Sequence, residues 1–500
     1  MMTENRRQLH TDLVLIFALG LIFRLALLML YPVPYGNDAA GRLYYRDSLL
    51  TWHWLPVTQT LVHFTFMLTH NIGVVRLVFA LAGSLAAVAF AFYLHTFASR
   101  RAAFIGGLLF AINTQAVFLS LMPYQEVLFL GLLIGSLAFF VREKETQAPA
   151  RNFVLGSMLY GLACLTRYEA WFILPALFFA RIWRAAGVHD RRIMAEGIKS
   201  FVGLFWGPAL WCLINWQHWG SPTAFLFHHP DRTFYAWAPH AEALRVLNYA
   251  GLLLYWLVRF GSPLVLLALP GIWLVWKNRR LMLPALWPLL LLLLLVLLFL
   301  IFIAGRDFAT ANRFVMIPLG LALILVALGI DHLIEQASQS FRPWLQKWTN
   351  PFARTGIAAF LTLLLLLYGA VPVRQANGLP VYREPYEIAK FLESRLAREE
   401  SAVIVAASHE GEVPMPYQRI FGQLDIDKER LLCSFLIEPQ KLANIETFVQ
   451  RLNLRYVIIF TGDEQSRREE ETVFLRFVSD PGSNMKRVFS NNAAVIYERT

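Results

Sequence analysis

Apolar residues in this 500-residue chain come in long blocks, not at helical or strand spacing along an otherwise polar sequence. A helix needs about 20 mostly apolar residues to cross a bilayer. Windows of that kind run near 12–31, 73–97, 102–120, 124–141, 200–219, 248–276, 281–303, 312–331 and 355–372. The stretch from Leu281 to Ile303 holds no charged side chain. A tenth apolar region, Phe153 to Trp183, is too long for one span and has Arg167 and Glu169 at its centre. It predicts two short helices that enter and leave one face, with the polar break buried in protein. Counting that hairpin twice gives a polytopic α-helical membrane protein of about 11 transmembrane helices, with its termini on opposite sides.

The pattern changes after residue 372. Glu387 to Arg398 has amphipathic helical spacing, whereas Ala402 to Ala406, Tyr456 to Phe460 and Ala494 to Tyr497 are short apolar runs of strand type. The chain is therefore expected to divide into a transmembrane domain, 1–372, and a small α/β domain, 373–500.

Composition agrees: 57% of residues are hydrophobic and 16% charged, against about 25% charged in a soluble domain. A soluble enzyme, a disordered chain and a disulfide scaffold are excluded. The net charge of +11 suggests nucleic acid until its placement is read. Segments 1–12, 98–102, 142–152, 181–199, 277–280 and 331–354 hold eighteen Lys and Arg, and the alternate connections 32–72, 121–123, 220–247 and 305–313 hold six. That bias puts the first set in the cytoplasm. It predicts a multi-pass protein of the plasma (inner) membrane, N-terminus cytoplasmic and C-terminal domain extracytoplasmic, whose partner is the bilayer and not nucleic acid. Tyr31-Pro-Val-Pro-Tyr35, not a small-residue cleavage site, follows the first apolar stretch, so that stretch is expected to stay. Cys164 and Cys212 lie in apolar helices as packing, and Cys433 is alone outside them.

Charges at membrane depth are costly, which makes them functional candidates. Four places stand out, all on the side expected to be outside. In Tyr35-Gly-Asn-Asp-Ala-Ala-Gly-Arg-Leu-Tyr-Tyr-Arg-Asp-Ser48, Asp38 opens a short helix with Arg42 and Arg46 at i+4 and i+8. It serves either as a general base or, with Asn37, as a helix cap; Asp47 and His53 are secondary. Tyr124 and Glu126 stand at the start of the fourth apolar window, where a carboxylate suits a helix N-terminus. Arg167 and Glu169 are two apart and cannot share one face of a regular helix, so they line a cavity or pair internally. Arg313 sits just inside the start of the window at 312–331, and Arg306 seven residues earlier, in the connection before it. Guanidinium groups there either grip a phosphate or snorkel to headgroups. The connection 220–245 adds His228, His229 and Asp231, a weak set for a divalent metal that lacks the usual ligand spacing, and aromatic side chains suited to a sugar-stacking rim.

In order and spacing these segments resemble the GT-C superfamily of integral-membrane glycosyltransferases, in particular the dolichyl-phosphate-mannose-dependent mannosyltransferases and the aminoarabinose transferases. The likeness covers most of 10–330. It rests on Asn37-Asp-Ala-Ala40, Leu55-Pro-Val-Thr58, Val75-Arg-Leu-Val-Phe-Ala-Leu-Ala-Gly83, Tyr124-Gln-Glu-Val-Leu128, Leu165-Thr-Arg-Tyr-Glu169 and Asn312-Arg-Phe with Pro318 beyond. It departs where the first loop has one Asp in place of the paired acids of many members.

The resemblance implies transfer of a sugar, a hexose such as mannose, from a polyprenyl-phosphate donor to a glycan, lipid or protein acceptor. Asp38 would be the catalytic base, with Arg313, Arg306 and Arg167 on the donor phosphate and Glu126, Glu169, Asp47 and Tyr124 on substrate. The other reading of a polytopic chain is a transporter or lipid flippase. It requires internal pseudo-symmetry and mid-membrane charges in both halves, and the sequence shows neither.

Overall fold

The computed structural model describes residues 2–50, 54–143, 148–185, 190–227, 263–302, 316–340, 370–376, 378–405, 415–426, 429–437, 442, 444–460, 469–492 and 494–500. Two compact units divide the chain. One is drawn from Met1–Leu28, Leu50–Leu61 and Arg76–Pro372, the other from Met29–Leu49, Val62–Val75 and Val373–Thr500.

The first unit is helical. Its helices include α1 (Met2–Leu30), which continues into the second unit, as do α3 (Pro56–Thr69) and α4 (Ile72–Leu94). They are followed by α5 (Arg100–Ile112), α6 (Thr114–Ser120), α7 (Glu126–Arg142), α8 (Pro149–Cys164), α9 (Glu169–Ala185) and α10 (Asp190–Trp219). Beyond these lie α11 (Ala268–Lys277), α12 (Arg279–Phe302) and α13 (Met316–Ser340). Among the described residues four helices are long and apolar enough to cross a membrane, or six when each bent pair counts as one span. The windows 248–276, 312–331 and 355–372 lie partly outside the described residues.

Two bends interrupt the apolar helices. The window 102–120 turns by 55° at Asn113, whose side chain accepts from the amides of Gln115 and Ala116 and so starts α6 anew. A turn of 119° separates Val265–Lys277 from Arg279–Leu295, at Asn278. The region 153–183 is two helices, α8 and α9, separated by Leu165–Tyr168. Close helix contact uses the absence of a side chain: a Cβ on Gly271 of α11 would stand 1.9 Å from the Leu325 carbonyl oxygen of α13.

Between the first two apolar windows the sequence suggested one long connection. It contains α3, a 14-residue helix with Pro56 at its start, and a shorter helix, α2 (Asn37–Tyr44). The second unit joins α2 to a five-stranded sheet of order β2-β1-β3-β5-β4. Its strands are β1 (Ser401–Val405), β2 (Leu431–Cys433), β3 (Leu454–Phe460), β4 (Met485–Ser490) and β5 (Ala494–Arg499). β1 runs parallel to β2 and β3, while β5 is antiparallel to β3 and β4.

Side chains alternate across the sheet, as strand geometry demands. Val403, Val405, Val457 and Ile459 face Val449 of α16 (Ile445–Arg451) and Phe474 and Phe477 of α17 (Glu469–Ser479). Ala402, Ile404, Leu431, Cys433, Tyr456 and Ile458 face α14 (Pro380–Arg395) and α15 (Met415–Phe421). Tyr44 of α2 is buried in that same cluster.

Candidate active site

The candidate residues divide between the two units. In the second unit, Gly36 precedes α2 at φ 89°, and no side chain caps the helix. Asp38 therefore does not serve as the cap. It lies in the first turn, where the amide dipoles favour a carboxylate, and it is half-buried. Arg42, one turn on, is buried, and so is Arg46 just past the helix end. Asp47 is exposed.

What fixes α2 is aromatic and cationic. The Tyr44 ring meets Tyr417 and Phe421 edge-on, with centroids 5.7 and 5.5 Å away. Burial, then the neighbouring Tyr45 and Cys433, push the Tyr44 phenol up to about 12, so it stays a neutral hydroxyl. The Arg46 guanidinium lies 4.3 Å from the Phe66 ring centre and 4.5 Å from that of Phe421. It donates from Nη1 to the Phe421 carbonyl at 2.8 Å and from Nη2 to the Ile426 carbonyl at 3.2 Å.

In the first unit, the break between α8 and α9 brings together two segments that the sequence offered as separate candidates. Arg167 donates from Nη1 to Glu126 Oε1 at 2.5 Å, and from Nε and Nη2 to Glu169 Oε1 at 2.8 and 2.5 Å. Arg167 is 6% exposed and Glu126 2%. Two carboxylates on one guanidinium leave a formal charge of about −1, and Glu126 Oε2 has no partner among the described residues.

Backbone groups at and beside the break have further donors or acceptors. The Val57 amide donates to the Leu165 carbonyl at 3.1 Å, the Trp171 indole to the Cys164 carbonyl at 2.8 Å, and the Tyr160 hydroxyl to the Ala170 carbonyl at 2.7 Å. Tyr124 is half-buried, its ring 6.5 Å from that of Phe118. Arg306, Arg313, His53, His228, His229 and Asp231 lie outside the described residues. Among the described residues no three His, Cys, Asp or Glu side chains gather to hold a metal ion.

Sequence reasoning passed over Arg24, the one charge well inside the first apolar window. It is fully buried, donating from Nε to Ser120 Oγ at 2.7 Å and from Nη1 to the Ala111 and Gly20 carbonyls at 2.8 and 3.1 Å. Ala111 stands at the end of α5, where the 55° bend removes helical donors. Arg24 thus supplies the bend's missing hydrogen bonds. A lone arginine in an apolar window was the available signal.

No protein-family model matches the chain, and no curated protein matches it by sequence. Solved structures do. ArnT from Cupriavidus metallidurans, bound to undecaprenyl phosphate, is 15% identical with a TM-score of 0.61, over 97% of this chain and 98% of that one. The archaeal oligosaccharyltransferase AglB from Archaeoglobus fulgidus, in complex with an inhibitory peptide and a dolichol-phosphate, is 14% identical with a TM-score of 0.52, over 98% of this chain and 74% of that one. At these identities the likeness is one of fold. The chain has the fold of the GT-C membrane glycosyltransferases.

Proposed function

We propose that this protein is a membrane glycosyltransferase that moves a sugar from a polyprenyl-phosphate donor to an acceptor at the extracytoplasmic face, with Asp38 as the base. The observation that carries the reading is Asp38 itself: a half-buried carboxylate in the first turn of α2. It belongs to a chain whose fold recurs in proteins solved with undecaprenyl phosphate and with dolichol-phosphate.

The chemistry asks little of the protein. Asp38 takes the proton from an acceptor hydroxyl as that oxygen bonds to the anomeric carbon. The bond from that carbon to the phosphate oxygen breaks, and its electron pair leaves on the polyprenyl phosphate. One displacement inverts the anomeric centre. The leaving group needs cations, not a proton, and Arg313 and Arg306 are assigned that task.

Arg167 spends donors on Glu126 and Glu169, which favours a brace for the helix break over its alternative as a third phosphate ligand. Glu126 Oε2, with Glu169, Tyr124 and Asp47, is offered to sugar or acceptor hydroxyls. A hexose such as mannose is the proposed cargo, and the inner membrane, N-terminus inside, the proposed location.

Reconstitution in liposomes with undecaprenyl-phosphate mannose tests the reading. Supplied with membranes from the source cell as acceptor, the protein is expected to release undecaprenyl phosphate and pass the sugar on. Movement of intact donor across the bilayer without cleavage would assign it to the transporters instead.

A further inference from the structure

We propose that the C-terminal sheet domain is the mount of the acid-bearing helix, and that Arg46 is the positioning residue that locks α2 to it. The proposal rests on the reading of Asp38 as the base. It explains why an enzyme whose chemistry needs one carboxylate and some cations carries a sheet domain at all.

The second unit gathers α2 and the tail around one apolar cluster, although Arg46 and Phe421 stand 375 positions apart. Arg46 does three things there. Its Nη1 donates to the carbonyl of the last residue of α15, which the Leu424 amide reaches at 3.2 Å as well, and a cation suits that end of a helix. Its Nη2 holds the next turn at Ile426. Its guanidinium carbon lies over both the Phe66 and Phe421 rings, and the compact, strongly hydrated ammonium of a lysine is a poorer partner for two aromatic faces.

The Arg46 carbonyl in turn meets His63 Nδ1 at 2.8 Å, so α3 joins the clasp. Beside it Gly422 brings the tail against α2: a Cβ built there would lie 3.0 Å from Leu43 Cβ and 2.9 Å from the Gln418 carbonyl oxygen. Asp38 lies in the first turn of this short helix, eight residues before Arg46, which stands just past its last residue. Arg46 thus ties the C-terminal end of the helix whose first turn carries Asp38 to the tail.

The test compares full-length Arg46→Lys, Phe66→Leu and Asp38→Asn proteins in nanodiscs. Three quantities are measured: amide exchange over 37–44, affinity for undecaprenyl-phosphate mannose, and its turnover with source-cell membranes as acceptor. Arg46→Lys is expected to speed exchange across α2 and lower the turnover number about tenfold or more, since misplacing a catalytic group by an ångström is that costly, with donor affinity within about twofold.

The thermal midpoint of each variant is measured alongside. Turnover lost at an unchanged midpoint and unchanged donor affinity reports misplacement of Asp38, whereas a turnover loss that only tracks a fallen midpoint is a general loss of stability and overturns the positioning role. Where Arg46→Lys does not fold, Phe66→Leu, which removes one face of the stack, is read in the same way. Unchanged exchange over 37–44, or unchanged turnover despite faster exchange, overturns the mount while Asp38→Asn stays inactive. An active Asp38→Asn protein overturns the base reading and the mount with it.

Discussion

Arg167 shows how a charge survives in an apolar interior. Its guanidinium faces two carboxylates within hydrogen-bond distance, and each partner offsets a desolvation cost that none could bear alone. Replacing it by methionine strands Glu126 and Glu169, and Arg167→Met is expected to destabilise the protein by about 3–5 kcal/mol, read as a fall in the thermal midpoint of the detergent-purified protein. An unchanged midpoint would mean the trio is not a brace. The sequence offered an internal Arg167–Glu169 pair as one of two readings, but not the meeting of that pair with Glu126. Glu126 is 41 positions from Arg167, and no local spacing records a contact over that distance. Asp38 was legible as a helix-start acid; that Gly36, with no side chain, takes the cap position is a matter of backbone angle, which hydropathy does not encode.

Among the elements, helices long enough to span were legible because apolar length is a direct measure of transfer free energy. The short ones were not. α3, at 14 residues, falls below the spanning length and so vanished into a connection. The bend at Asn113 lies in an unbroken apolar window, and only Asn113 itself, a good cap, marked it. The packing of α11 on α13 was equally hidden, because it depends on what Gly271 lacks. Gly271→Ala should cost about 1–3 kcal/mol by forcing the helices apart, measured as loss of the folded, monodisperse fraction on heating, with Gly197→Ala, where a Cβ meets nothing within 4 Å, as the neutral control. Equal behaviour of the two variants would contradict close α11–α13 contact.

At the scale of the whole molecule, composition and charge bias pointed to a polytopic membrane protein, and the strand-like runs of the tail lie in a five-stranded sheet. The interleaving was not legible. Residues 29–49 and 62–75 belong to the same compact unit as 373–500, and no local pattern records which distant segment a short helix will pack on. Cells lacking the protein should accumulate a glycan or lipid one sugar short, visible by mass spectrometry of their envelope; an unchanged glycan and lipid profile would speak against a transferase. The most direct measurement is sugar transfer by purified Asp38→Asn protein at saturating undecaprenyl-phosphate mannose. Loss of a general base costs about 10²- to 10⁴-fold, so turnover should drop by that factor while the donor still binds. Wild-type turnover in that variant would remove Asp38 from the chemistry.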